Sequence, residues 1–200
     1  MLNNSLYILI GNLIFLYIFW KKLKEDYTSE IIFTSAFYIL AGMVLGLVFA
    51  LKIKTDLWFW LSFVGLVIGF SLTIIKYKLR LMETVEAVVI AVLPSLVLIF
   101  LSDSIRNQSY DSFFQSILTL ILIILFFIFD KHYKKFTWYK SGRIGFSGLT
   151  TLGLFFLLRA LVANWFPFML SFFGKKEVYL SASMAFVSFL GLFNLTRQKT

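Results

Sequence analysis

Seven runs of mainly apolar residues divide the chain, and their length leaves little choice of fold. An α-helix rises about 1.5 Å per residue, so about 20 apolar residues cross the roughly 30 Å hydrocarbon core of a bilayer. Only 14% of the residues are charged and 60% are hydrophobic, whereas about a quarter are charged in a soluble domain. The sequence therefore predicts an all-α fold, a polytopic membrane helical bundle that forms one transmembrane domain over residues 1–200. The seven predicted transmembrane helices are residues 6–20, 31–51, 57–75, 85–101, 113–129, 144–163 and 178–195.

Two apolar segments permit a second interpretation. The run 6–20 resembles the apolar core of a signal peptide, but a signal peptide begins with positive charge and ends at small residues. Here the positive charge follows the run, as Lys21, Lys22 and Lys24, which favours a retained span. Residues 165–173 are aromatic and contain Pro167. This segment is too short to cross a bilayer, so we expect it to lie in the membrane interface.

The distribution of Lys and Arg predicts the orientation of the bundle, because cytoplasmic segments carry an excess of positive charge. If the N-terminus lies outside, the cytoplasmic segments carry thirteen Lys and Arg and the outer segments carry five. We therefore predict an outer N-terminus and a cytoplasmic C-terminus. The cytoplasmic segments in this count are 21–24, 76–80, 131–143 and 197–199, and the outer ones are 52–54, 102–112 and 175–176.

Composition also excludes several kinds of site. A net charge of +9 would suggest nucleic acid in a soluble protein, but here the basic residues cluster at helix ends, where they orient the chain and contact anionic lipid. The chain has no cysteine, which excludes disulfides, thiolate metal sites and a cysteine nucleophile. The single histidine, His132, lies beside Lys131 in a basic segment. We expect no metal site, no cofactor and no nucleic-acid partner.

The sixth span contains one charged residue, Arg159. A guanidinium in hydrocarbon costs at least about 2.5 kcal/mol on insertion scales, so an intramembrane arginine faces protein, water or an anionic headgroup and indicates a functional site. The other interpretation is that Arg159 lies near the helix end and extends its charged head to the interface. The sequence leaves both open.

Small residues predict where helices approach closely. Gly42 and Gly46 in the second span, and Gly65 and Gly69 in the third, are spaced four apart, which allows close contact between helix backbones in a membrane. Pro94 lies inside the fourth span, where the missing backbone donor predicts a kink.

Several segments together resemble the prolipoprotein diacylglyceryl transferase family, seven-span bacterial enzymes that lipidate lipoprotein precursors. The first span and the basic WKKLKED that follows it are similar to the family's opening helix. The segment WLSFVGLVIG of the third span and the glycine-bearing AGMVLGLVFAL of the second are similar to its glycine-rich spans. RNQSYDS resembles the start of its fifth span, and GRIGFSGLTTLGLFFLLR resembles its closing helix, with Arg159 at the family's essential arginine.

This resemblance implies an activity in the bacterial cytoplasmic (inner) membrane. The family transfers a diacylglyceryl group from phosphatidylglycerol to the cysteine sulfur of a lipoprotein precursor, which makes the phospholipid and the precursor peptide the expected partners. Because the leaving group is an anionic phosphate, cationic donors must hold it. The candidate catalytic residues are Arg159 on the phosphate, Arg106 as a second clamp, and Asp111 as a group that orients an arginine or accepts a proton. The residues that the resemblance implies for substrate binding are Tyr7, Ser62, Gly65, Gly69 and Tyr110.

Other residues depart from the family's pattern and keep a second class of function open. Val64 stands where the family has histidine, and Leu66 where it has glycine. Phe155 replaces a tyrosine before the arginine, and Ala163 replaces a glutamate after it. The alternative to a transferase is a non-enzymatic relative, either an anionic-lipid-binding protein or a structural membrane subunit. A small transport subunit is less favoured, because apart from Pro94 the chain shows no broken helices or internal repeats.

Overall fold

The computed structural model describes residues 2–135, 139 and 144–197, and over these residues the chain is helical without any strand. This confirms the predicted all-α class, and each helix overlaps one predicted run. Two short 3₁₀ turns, Thr55–Leu57 and Tyr133–Lys135, adjoin α3 and α5. The helices are α1 (Leu2–Leu23), α2 (Ser29–Ile53), α3 (Trp58–Tyr77), α4 (Leu81–Asn107), α5 (Tyr110–His132), α6 (Phe146–Trp165) and α7 (Lys176–Arg197).

Six of the helices in the described part of the chain, α2 to α7, are long and apolar enough to cross a membrane. The helix α1 spans 22 residues but does not belong to this set. These helices agree with the predicted membrane-embedded bundle. The seventh span and the orientation of the termini remain predictions.

Polar side chains meet at both ends of the bundle. At one end, Lys22 of α1 places Nζ 2.8 Å from the Asp130 carboxylate of α5 and 3.7 Å from Glu86 of α4. The backbone N–H of Gly145, just before α6, donates to Glu86 at 2.9 Å. At the other end, the starts of α3 and α7 meet the last turns of α6. The candidate site lies there.

The hairpin of α2 and α3 is held by direct contact between helix backbones. A Cβ on Gly46 would overlap the carbonyl oxygen of Leu61, and one on Gly42 would overlap that of Gly65. The reciprocal contact is equally close, since a Cβ on Gly69 would overlap the carbonyl oxygen of Tyr38. The close approach predicted from the glycine spacing is therefore present.

Aromatic rings connect this hairpin to the rest of the bundle. Phe63 of α3 packs edge-on against Phe156 of α6, with ring centroids 5.3 Å apart, and Trp60 stacks on the same ring at 5.8 Å. The helix α4 supplies much of the buried interior and continues through Pro94 to Asn107. One residue after the proline, the Ser95 hydroxyl donates to the carbonyl of Gly11 in α1 at 3.0 Å.

The aromatic segment between α6 and α7 divides into two faces. Trp165 and Phe168 are 76% and 91% exposed, as expected for residues at a membrane interface. Met169, Ser171 and Phe172 are buried. The second half of the segment therefore packs against the end of α6, and its location in the membrane interface stays a prediction.

We expect Gly46→Ala to destabilise the protein by about 1–3 kcal/mol, because the added methyl forces apart two backbones that cannot repack. Gly191→Ala is the matched control, since its Cβ would meet only the Leu149 side chain at 3.5 Å. Unfolding in a detergent titration measures both. Equal stability of the two variants would show that the close approach of α2 and α3 is not required.

The absence of native cysteine makes the predicted orientation directly testable with Asn4→Cys, Glu25→Cys and Lys175→Cys, one at a time. With seven spans and an outer N-terminus, an impermeant thiol reagent added outside intact cells labels positions 4 and 175, and position 25 only after lysis. If positions 4 and 25 label from the same side, α1 does not cross the membrane.

Candidate functional site

Arg159 lies in α6 six residues before its end, and its side chain points into the bundle. Only 5% of the residue is exposed, so the guanidinium is enclosed by protein. Of the two interpretations that the sequence left open, the structure agrees with the one in which Arg159 faces protein. A charge buried in this way requires compensating groups nearby.

The guanidinium is compensated by residues of the same chain. Nε and Nη2 donate to Oε1 of Glu177 at 3.0 and 2.7 Å. Nη1 donates to the hydroxyl of Ser171 at 2.8 Å, and Nη2 donates also to the Ser171 carbonyl oxygen at 2.8 Å. Four of the five N–H groups are thus used, and two of them converge on one oxygen of the carboxylate.

Glu177 is the centre of this network. It is fully buried in the first turn of α7, where a negative charge is favoured by the helix dipole. Oε1 also accepts from the Ser181 hydroxyl at 2.6 Å, and Oε2 accepts from Trp60 Nε1 at 2.7 Å and from the backbone N–H of Phe173 at 3.2 Å. One carboxylate therefore joins α3, α6, α7 and the α6–α7 connection.

Aromatic rings enclose the ion pair. The guanidinium carbon of Arg159 lies 3.7 Å from the centroid of the Phe59 ring and 4.9 Å from that of Phe172. A cation over a ring face is attracted by the ring quadrupole, more strongly where water is excluded. Phe59 and Phe172 are 6% exposed each, so they cover the guanidinium as well as attract it.

A small cavity adjoins Arg159, with a volume of about 30 Å³. Its polar lining residues are Arg159, Gln115 and Thr119, and the remaining lining is apolar. The lining residues come from α4, α5, α6 and the α6–α7 connection. None comes from α1, α2 or α3, so Arg159 does not share this space with the first three helices. The volume suits water-sized groups and is far below the several hundred Å³ of a typical ligand pocket.

The other candidate catalytic residues lie apart from Arg159. Arg106, in the last turn of α4, is exposed, as is Asp111 in the first turn of α5. Neither takes part in the hydrogen bonds, ion pair or ring contacts of Arg159. The nearby Asp103 carboxylate instead accepts from the Ser112 hydroxyl and from Asn107.

The substrate-binding candidates do not converge on one site either. Tyr110 is 89% exposed at the start of α5, and Tyr7 is half-buried on α1. Ser62 is half-buried on α3 and faces Gly46 of α2. Gly65 and Gly69 lie in the same α2–α3 contact. In the structure these two glycines and Ser62 serve helix packing.

The residues that complete the site were not among those predicted from sequence: Glu177, Ser171, Trp60 and Gln115. The sequence contained a signal for Glu177. A buried arginine requires a compensating acid, and few acidic residues lie on the side of the bundle where the sixth span ends. Glu177 directly precedes the seventh apolar run, where the first turn of its helix faces the last turns of the preceding one.

We expect Glu177→Gln to destabilise the protein by about 3–5 kcal/mol, because removing one partner leaves the Arg159 charge buried without compensation. The control is Glu30→Gln, which removes an exposed carboxylate in the first turn of α2 and should change stability little. Thermal unfolding in detergent checks this expectation. A Glu177 variant as stable as the control would mean that Arg159 is compensated by another group.

No protein-family model, no curated protein and no solved structure matches this chain. The transferase resemblance therefore rests on the sequence segments alone.

Proposed function

We propose that this chain is a non-enzymatic, structural membrane protein, in which Arg159 stabilises the bundle instead of binding a substrate. The observation that carries the proposal is the pairing of Arg159 with Glu177, at 2.7 Å and fully buried. A phosphate clamp needs positive charge that is not already compensated. Here the pair is neutral, and the same two residues connect α6 to α7 and, through Trp60, to α3.

The space and the side chains around Arg159 agree with this proposal. A cavity of about 30 Å³ accommodates a water-sized group, whereas diacylglyceryl transfer requires a phosphoglycerol headgroup and a peptide thiol in one place. The thiol must also lose a proton, which requires a nearby base or a positive field. The single histidine, His132, sits at the end of α5, opposite to the α5 turn that bears Gln115.

The second candidate function is the transferase itself, and one observation favours it. Arg159 faces inward beside a cavity, as a residue that holds a lipid phosphate would. This function would require Glu177 to leave the guanidinium and the α6–α7 connection to open. It would place the protein in the bacterial cytoplasmic membrane, with phosphatidylglycerol and a lipoprotein precursor as partners.

A reconstitution assay separates the two functions. The protein is incorporated into vesicles of phosphatidylglycerol labelled in the glycerol that is transferred, and a peptide with a lipobox cysteine is added. We expect no thioether product under conditions in which an active diacylglyceryl transferase yields one. Product that forms with the wild type and is lost with Arg159→Lys would establish the transferase and reject the structural role.

Lipid binding gives an independent test of the structural role. The variant Arg159→Met with Glu177→Gln removes both charges at similar volume, so the bundle has no unpaired buried charge. We expect native mass spectrometry to show as much phosphatidylglycerol bound to this double variant as to the wild type. Zwitterionic phosphatidylcholine, which has no net charge, is the reference lipid. Selective loss of phosphatidylglycerol would show that Arg159 holds an anionic headgroup.

A further inference from the structure

One amide nitrogen beside the ion pair lacks a partner among the described residues. Gln115 of α5 is 94% buried, since its exposed fraction is 6%, and its Nε2 has no hydrogen-bond partner among the described residues. Its side chain lines the cavity next to Arg159. A buried amide nitrogen without an acceptor costs about 1–3 kcal/mol. A group that accepts a hydrogen bond from Nε2 would remove this cost.

The orientation of the amide follows from its neighbours. The Ser171 hydroxyl accepts from Arg159 Nη1, so its own proton needs an acceptor. That acceptor is Oε1 of Gln115, at 3.3 Å. A hydroxyl has one proton to donate, and the amide oxygen is the group that takes it. The amide group is therefore fixed with its oxygen toward Ser171 and both Nε2–H groups free for another partner.

Arg159 lines the same cavity and retains one unused donor. Nη1 carries two N–H groups, and one of them is used on Ser171. The second has no partner among the residues that the structure describes. The third polar group of the cavity, the Thr119 hydroxyl, donates to the backbone carbonyl of Gln115 at 2.8 Å. The cavity thus presents donors for which the described residues supply no acceptor.

The charge of the site selects a neutral acceptor. Glu177 already compensates Arg159, so an anion would add an unpaired negative charge in a buried place, which is costly. A neutral oxygen accepts the same hydrogen bonds without that cost. The volume of about 30 Å³ admits an oxygen atom or a water molecule but no large ligand.

The cavity is accessible from one side. Leu118 of α5 and Leu158 and Val162 of α6 are half-buried, whereas the other residues that line it are buried. The cavity therefore approaches the outer surface of the bundle where α5 meets α6. In a bilayer this surface faces lipid, so an oxygen can arrive as water or as the ester carbonyl of a phospholipid.

We infer that Gln115 Nε2 and Arg159 Nη1 form a binding site for one neutral acceptor oxygen, supplied by water or by a lipid ester carbonyl through the contact between α5 and α6. The site holds the amide and the guanidinium in their observed orientations by satisfying their remaining donors. It does so whether or not the protein has catalytic activity.

Solid-state NMR on the whole protein in bilayers tests this inference. The chain has three glutamines, Gln108, Gln115 and Gln198, so ¹⁵N-glutamine labelling gives three side-chain signals. Gln115→Leu assigns the relevant one, and if that variant does not fold, Gln108→Glu and Gln198→Glu assign it by elimination. The bilayer lipid carries ¹³C at its ester carbonyls. Exposed Gln108 serves as the reference for a side chain in contact with bulk water.

Two results support the inference and identify the source of the oxygen. Dephasing of the Gln115 Nε2 signal by the lipid ¹³C carbonyl, absent at Gln108, identifies a lipid ester. Magnetisation transfer from water to Gln115 with exchange at least tenfold slower than at Gln108 identifies bound water. The inference is overturned if Gln115 shows neither contact, or if its signal shifts with chloride concentration, which would indicate an anion.

Discussion

The buried pair of Arg159 and Glu177 is the interaction on which one end of this bundle depends. A single charge in the apolar interior costs several kcal/mol, and two opposite charges offset that cost only with good geometry and additional hydrogen bonds. Glu177 meets this requirement with donors from Arg159, Ser181, Trp60 and the backbone of Phe173. The pair therefore fixes the relative position of three helices, although it adds little net stability compared with an apolar contact of equal volume.

The two ends of the bundle use polar groups in different ways. At the end that bears Arg159 the network is enclosed by Phe59 and Phe172. At the opposite end Lys22 contacts Glu86 and Asp130 with about a quarter of its side chain exposed. Between them the helices pack by apolar contact, by the hydrogen bond from Ser95 to Gly11 and, in the α2–α3 hairpin, by glycine against backbone. Charged contacts thus define how the helix ends meet, while shape and one hydrogen bond define how their middles pack.

The helices themselves could be predicted from sequence, because each is a long apolar run bounded by charge, and the α2–α3 contact followed from the spacing of Gly42, Gly46, Gly65 and Gly69. The partner of Arg159 could not be read in the same way. Glu177 lies 18 residues after it, across a connection whose fold depends on Ser171 and Phe172 packing back onto α6. Periodicity describes single helices and carries no information on such a connection. For the same reason residues 165–173 were expected only at the interface, and the resemblance grouped residues such as Tyr7 and Tyr110 that the fold keeps apart.

A double-mutant cycle on Arg159 and Glu177 tests the central claim most directly. Unfolding free energies are measured for the wild type, Arg159→Met, Glu177→Gln and the combination. If the two side chains compensate each other, the double variant loses less stability than the sum of the single losses, with a coupling energy of about 1–3 kcal/mol. Additive losses would show that the two charges do not interact, and the account of Arg159 as a structural residue would be wrong.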